Sequence, residues 1–302
     1  MDDPATGTAA RGEDGTRVRQ MGLDDLDAAI AVVDAANAGR VAAGQVPQPE
    51  PRSEVQLQQL RRSHARFVQR DGPGAWVAVA DGRVVGVAES VRRAHFWGLS
   101  MLFVHPDFQS RGIGAGLLEA ALSYGDGANQ RMIVSSPDPR ALRRYFLAGL
   151  EMHPAADVAG RPDRTAIPSA LPGRSGGEDD LDLVAAVEAR LGRSRTEDVA
   201  FMLRDDRFRL DIVDRGTARG WAVWRPGRLV MLGATDEQTA RVLVWRHFAE
   251  CDEETSISTV TAEQQWLVAV AHEARLAVKV EGALFVGGMS VPGPWLPSGW
   301  YF

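Results

Sequence analysis

The stretch Leu99–Tyr124, LSMLFVHPDFQSRGIGAGLLEAALSY, decides the fold. It begins with an apolar run, Leu99–Val104, which predicts a strand or a short piece of buried helix. His105-Pro106-Asp107 ends the run, because proline lacks a backbone donor and fixes the backbone angle φ. Gln109–Gly114 then opens a helix whose apolar residues fall on one face: Leu117, Leu118, Ala121 and Leu122.

This strand, glycine-bearing loop and helix suit the binding of an anion. The first N–H groups of a helix have no acceptor within the helix, and the helix dipole adds positive potential there. Gly112 and Gly114 lack a Cβ, so a phosphate can approach the backbone closely. The spacing is neither the dinucleotide fingerprint G-x-G-x-x-G nor a P-loop, since no Gly-Lys-Ser/Thr follows. The alternative interpretation is an ordinary glycine turn.

Q-x-x-G-x-G after a strand ending in Val-x-Pro resembles the acetyl-CoA signature of the GNAT superfamily of N-acetyltransferases. In that family the loop N–H groups hold the pyrophosphate of coenzyme A, and a backbone N–H of the strand, at a bulge that splays it from its neighbour, meets the thioester. The resemblance implies that acetyl-CoA is the cofactor. It assigns the cofactor site to Leu102, Phe103, Val104, Gln109, Ser110, Arg111, Gly112, Ile113, Gly114 and Tyr145.

A second stretch, Asp138–Leu150, adds an independent match. Asp138 is a good N-cap, and Pro139 suits the first helical position. The stretch resembles the closing motif of the family, with Ala141, Tyr145 and Gly149 in step, although Asp138 replaces the usual Asn and Leu150 the usual Phe. Because a carboxylate at Asp138 lies poorly beside a polyanionic cofactor, capping is its expected role.

Transfer of an acyl group from a thioester to an amine requires a neutral amine, a stabilised oxyanion and a proton for the departing thiolate. The resemblance implies Tyr145 as the general acid; packing beside Phe146 is the alternative role. Glu89, near a strand end, is the candidate base, directly or through water, with His95, His105 or solvent as alternatives. No metal ligand set is expected.

The other elements of the first half surround this stretch. Asp-Gly between two apolar runs predicts a hairpin at Trp76–Ala88. Asp24-Asp25 predicts a helix start, and a second helix is expected over Glu54–Gln69. The proline-bearing residues 43–52 between these helices are a candidate specificity loop, or a surface connection.

The second half repeats this pattern of elements. Asp179–Asp182 matches Asp24–Asp27, and the same order of strands and helices follows: strands near 208–213, 220–224, 229–232 and 257–260, and helices near 239–250 and 264–272. Asp236 and Glu237 replace the glycine loop, and their negative charge repels a pyrophosphate. The expected fold is therefore α/β (α+β), with two GNAT-like domains, each a mixed, mostly antiparallel sheet flanked by helices.

The expected domain order is a disordered tail at 1–15, a catalytic domain at 16–154, a linker at 155–177 and a degenerate domain at 178–302. The aromatic C-terminal segment, 289–302, lines an acceptor pocket or packs against the sheets, and packing is favoured.

Composition limits the class of protein. The chain has 302 residues, 45% hydrophobic and 25% charged, and a net charge of −6. This charge gives no support to a nucleic-acid or anionic-membrane partner. The single cysteine, Cys251, excludes an internal disulfide and fits a reducing cytoplasm. No apolar run is long enough to span a bilayer.

The sequence thus predicts an N-acetyltransferase acting on the primary amine of a small molecule. The alternatives are a non-catalytic acyl-CoA sensor and an enzyme that acetylates protein lysines or N-termini. A nucleotide-binding protein is disfavoured, because no lysine or metal-binding aspartate accompanies the loop.

Overall fold

The computed structural model describes residues 8–11, 15–42, 44, 48 and 50–301. By its internal contacts the chain divides into two compact units, Met1–Ala128 and Asn129–Phe302. No helix among the described residues is long and apolar enough to cross a membrane.

Within its described residues, the first unit contains one antiparallel sheet and three α-helices. Its strands lie in chain order, each beside the next: β1 (Thr8–Arg11), β2 (Arg17–Gln20), β3 (Ala75–Ala80), β4 (Arg83–Arg93) and β5 (Phe96–Val104). The helices are α1 (Leu26–Ala42), α2 (Glu54–Arg70) and α3 (Ile113–Tyr124). Part of the predicted disordered tail is thus a strand, since residues 8–11 pair with β2; the rest of 1–14 lies outside the described residues.

Local signals explain most of these elements. Asp81 and Gly82 both have positive φ and join β3 to β4 in the predicted hairpin. Ser53 caps α2, with its hydroxyl accepting from the Gln56 N–H at 3.2 Å. Helix α3 packs closely on β4 because Gly86 has no side chain: a Cβ there would lie 2.8 Å from Leu117.

The second unit contains nine strands and five helices within its described residues. Their bounds are β6 (Gln130–Ser135), α4 (Pro139–Leu147), β7 (Glu151–Gly160), β8 (Arg174–Gly176), α5 (Leu181–Arg190), α6 (Thr196–Leu203), β9 (Arg209–Arg215), β10 (Ala218–Arg225), β11 (Arg228–Ala234), α7 (Glu237–Glu250), β12 (Thr255–Val260), α8 (Gln265–Glu273), β13 (Ala277–Gly287) and β14 (Trp295–Leu296).

The order of elements confirms the predicted repeat. One strand, two helices, three strands, a helix, a strand, a helix and a last strand occur as β2 to β7 and again as β8 to β13. Around the second copy's α7, buried residues form one apolar core, including Leu243, Phe248, Ile257 and Leu267.

The last strands of the two copies are exchanged. β13 lies between β6 and β7, antiparallel to both, and β7 pairs with β12. The first copy's elements β6, α4 and β7 therefore belong to the second unit. The predicted linker at 155–177 holds the end of β7 and all of β8, so that stretch is partly strand. The domain bounds predicted from sequence stay a prediction.

Candidate active site

Eight residues, His105–Gly112, join β5 to α3 and are called the anion loop; they include the first four residues of the predicted stretch Gln109–Gly114. The His105 N–H donates to the Val85 carbonyl at 2.8 Å and ties the loop to β4. Gln109 closes the loop from within, since its side-chain Nε2 donates to the Val104 carbonyl at 3.1 Å. Ser110 and Gly112 both have positive φ, at 64° and 80°, which turns the chain sharply into α3. Such turns present successive backbone N–H groups to one side.

The start of α3 is open to an incoming anion. Gly112 occupies the N-cap, and a Cβ built there meets nothing within 4 Å. Ser110, Arg111 and Gly112 are exposed. The Arg111 guanidinium is held at the loop, 5.0 Å from the Phe108 ring centre and bonded to the Asp107 carbonyl at 2.8 Å. Free helical N–H groups, open space and a fixed positive charge together fit a pyrophosphate.

The residues that follow Gly112 pack into the interior of the first unit. Ile113 and Gly114 are buried at the first turn of α3, and Leu117, Leu118 and Ala121 bury the predicted apolar face. The loop is thereby fixed between a buried strand and a buried helix face.

Strand β5 differs from expectation at its bulge. The extra residue in the β4–β5 ladder is Ser100, because Leu99 pairs with Ser90 and Met101 with Glu89. The resemblance implies a bulge at the thioester contact, which maps to Leu102–Val104, and the irregularity in the pairing with β4 lies two residues before that stretch. Leu102, Phe103 and Val104 instead pair regularly with β4 along one edge.

Glu89, the candidate base, lies in the interior of the first unit. Its side chain and that of His64 on α2 are fully buried, and Glu89 Oε1 lies 2.6 Å from His64 Nδ1. Burial raises the pKa of Glu89, and the nearby His64 opposes the rise. His64 was missed by sequence reasoning, since nothing in the pattern of α2 links it to a strand 25 residues away.

The two alternative histidines lie elsewhere in the first unit. His95 is exposed in the turn between β4 and β5. His105 begins the anion loop and accepts from the Asp107 N–H at 3.3 Å. It also borders a groove of about 460 Å³, together with Arg19 of β2, Val32 of α1 and Arg83 of the hairpin. In the predicted specificity loop, residues 43, 45–47 and 49 lie outside the described residues.

Tyr145, the candidate acid, belongs to the second unit. Its ring is 6% exposed and packs edge-on against Phe285 of β13, with centroids 5.5 Å apart. Phe146 is 63% exposed. Burial raises the pKa of Tyr145 above its usual value, so the hydroxyl keeps its proton at neutral pH.

Asp138 acts as the predicted cap of the helix that carries Tyr145. Its carboxylate accepts from the Arg140 N–H at 2.8 Å, and Pro139 takes the first helical position. The Arg140 guanidinium, 2.7 Å away, holds the pKa of Asp138 below its usual range. The Asp138 carboxylate thus makes its hydrogen bonds within its own helix.

The matching position in the second copy has no such loop. Only Thr235 and Asp236 separate β11 from α7. Asp236 caps α7, accepting from the N–H and the hydroxyl of Thr239, both at 2.8 Å. A carboxylate of the chain itself therefore already occupies the positive start of this helix.

Comparison with known proteins agrees with this geometry. Residues 41–148 match the model of the acetyltransferase (GNAT) family. This stretch includes the anion loop, α3 and the helix that carries Tyr145. No curated protein sequence matches the chain.

Solved structures share the fold over nearly the whole chain. A candidate acetyltransferase from Pyrococcus horikoshii is 14% identical, covers 95% of each chain and gives a TM-score of 0.73. A GCN5-related N-acetyltransferase from Sphaerobacter thermophilus is 16% identical over 91% of this chain and 96% of its own, with a TM-score of 0.58.

A tandem GNAT protein from the clavulanic acid biosynthesis pathway is similar in the same way. It is 16% identical over 91% of this chain and 99% of its own, with a TM-score of 0.54. At these identities the likeness concerns the fold, and the family match rests on residues 41–148. Residues 41–148 therefore resemble an acetyltransferase domain of the GNAT family, whose members use acetyl-CoA.

Proposed function

We propose that the protein transfers an acetyl group from acetyl-CoA to the primary amine of a small molecule, using the site of the first copy. The open start of α3 behind Gly112 carries this proposal, because it offers unpaired N–H groups, positive helix potential and room for a pyrophosphate. When bound, acetyl-CoA supplies the activated acetyl group.

The residues of the loop and strand bind and orient the donor. The N–H groups of residues 110–114 hold the pyrophosphate, and the Arg111 side chain adds charge at the same edge. Leu102, Phe103 and Val104 supply the backbone edge that meets the thioester carbonyl. Gln109 keeps the loop closed onto Val104 at 3.1 Å.

Two side chains move protons in this proposal. Glu89 takes the proton of the attacking amine through water, since its own side chain is fully buried, and its raised pKa brings it closer to the operating pH of a base. Tyr145 gives its proton to the departing thiolate, because its phenol is protonated at neutral pH, although the burial that raises its pKa also makes it a weaker acid.

The experiment that tests this function measures thiol release from acetyl-CoA with a panel of amines. Small primary amines are expected to accelerate release, and peptides with a free lysine or N-terminus are not. Faster release with the peptides only would favour a protein acetyltransferase. Binding of acetyl-CoA without release in the presence of any amine would favour a sensor and refute the enzyme.

A further inference from the structure

The C-terminal segment of the chain is built into the second unit. Trp295 and Leu296 form β14, and both side chains are buried, as is Val291 before them. This agrees with the packing role favoured from sequence. The place where the segment packs allows a stronger conclusion.

β14 fills a gap between two strands. One edge of β11 pairs with β10 along its length, and the other pairs with β12 only at Arg228 and Ser256. Further along this second edge, Leu232 pairs with Leu296 and Gly233 with Trp295. The Ala234 N–H then donates to the Pro294 carbonyl at 2.9 Å. The tail therefore lies where β11 and β12 diverge.

This gap corresponds to the cofactor strand edge of the first copy. The extra residue in β11 is Val230, since Met231 pairs with Val223 and Leu229 with Trp224. Val230 precedes the strand end by four residues, as Ser100 does in β5. Aligned on these bulges, Leu102–Val104 correspond to Leu232–Ala234. The backbone edge proposed to receive the thioester is, in the second copy, bonded to the chain's own tail.

Side chains of the second copy bind the tail as a ligand. Three of them donate to carbonyls of the tail: Gln264 Nε2 to Pro292 at 3.0 Å, Trp266 Nε1 to Gly293 at 2.8 Å and Arg195 Nη1 to Leu296 at 2.9 Å. Trp266, Gln264 and Arg195 are themselves buried.

Arg195 also fixes the aromatic anchor of the tail. Its guanidinium lies 5.2 Å from the Trp295 ring centre and pairs with the buried Glu188 at 2.8 Å. A cation in this position is attracted by the negative face of the indole ring. The groove is thus specific for this segment in both backbone and side chain.

We propose that residues 291–296 are the resident peptide ligand of the second copy, so that the chain takes up one acetyl-CoA, at the first copy alone. The inference rests in part on the proposed function, which places acetyl-CoA at the first copy. Two features act together in the second copy: the tail covers the strand edge, and Asp236 occupies the helix start.

The test combines amide exchange with binding stoichiometry on the full chain. The Ala234 amide is expected to be protected, and Trp295→Ala is expected to speed its exchange at least tenfold and lower Tm by about 5–15 °C. Trp300→Ala, in the same tail but half-buried, is the matched control and leaves Ala234 protected. Trp266→Phe removes one tail hydrogen bond while keeping an aromatic ring, so it tests the same contact if Trp295→Ala does not fold.

Calorimetry of the full chain with acetyl-CoA is expected to give one site per chain. Added acetyl-CoA is expected to leave Ala234 exchange unchanged while slowing exchange across residues 110–114. Two sites per chain, or faster exchange at Ala234 on adding acetyl-CoA, overturns the inference. Absence of all acetyl-CoA binding refutes the proposed function instead, because the protection of Ala234 by Trp295 is measured without the cofactor.

Discussion

Replacing Gly112 by valine is the sharpest test of the anion loop. Gly112 has φ of +80°, and the space beyond its Cα is open. A valine places a branched side chain in front of the first N–H groups of α3 and disfavours the backbone turn that presents them. The substitution therefore acts on the donor site directly, and the buried face of α3 is left intact.

The size of the effect follows from the hydrogen bonds removed. A hydrogen bond to a charged group contributes roughly 1.5–3 kcal/mol, so the loss of two weakens binding by about 3–6 kcal/mol. This corresponds to a Kd that rises about 100-fold to 10,000-fold, since about 1.4 kcal/mol is a factor of ten. Calorimetric titration with acetyl-CoA measures it.

The control for this variant is Gly216→Val. Gly216 has φ of +67° in the turn between β9 and β10 of the second copy, and it also has nothing within 4 Å of a Cβ. The backbone strain is similar, but no anion contact is proposed there, so the Kd is expected to stay within about threefold. A folded Gly112→Val protein that binds acetyl-CoA as tightly as the unaltered chain would refute the assignment of the loop.

Three further predictions concern single side chains. Tyr145→Phe is expected to lower kcat roughly 10- to 1,000-fold with little change in acetyl-CoA affinity. Tyr124→Phe, which loses a 3.0 Å hydrogen bond to Asp71, serves as the control. An unchanged kcat in Tyr145→Phe would remove Tyr145 from the mechanism. Arg195→Met is expected to destabilise the chain by about 3–5 kcal/mol in urea unfolding, because it leaves Glu188 charged and buried, and adding Glu188→Gln is expected to restore much of the loss. The hydrogen bonds from Arg19 lower the pKa of Asp25, so the stability that this pair contributes is present above about pH 4 and is lost as pH falls through the folded pKa. Arg19→Met is expected to flatten the fall of Tm between pH 5 and pH 2, and an unchanged slope would contradict it.

Much of the local structure was readable from the sequence. Asp81-Gly82 predicted the β3–β4 hairpin, and Asp138-Pro139 predicted the start of α4, because turns and caps are set by a few neighbouring residues. The loop at Gln109–Gly114 was predicted for the same reason. Apolar periodicity also located α7, α8 and β9 to β12 within a few residues.

Three strands of the repeat were missed: β8, which is three residues long and lies in the predicted linker, and the longer β7 and β13. The exposed and buried residues of β7 and β13 do not alternate cleanly, since each strand carries an irregularity in its pairing. The C-terminal strand β14 is two residues long, too short for any periodic signal. The irregularity of β5 at Ser100 also has no local signal, because a bulge depends on the partner strand as much as on its own sequence.

The sequence by itself determined the repeated order of elements and the single glycine loop, because strands, turns, caps and helix starts depend on contacts within a few residues. The tertiary structure alone decided three things: the insertion of β13 between β6 and β7, the burial of Glu89 against His64, and the seating of the tail beside β11. Each joins residues far apart in the chain. Backbone hydrogen bonds between strands are the same for every sequence, so the choice of partner comes from packing of the whole core.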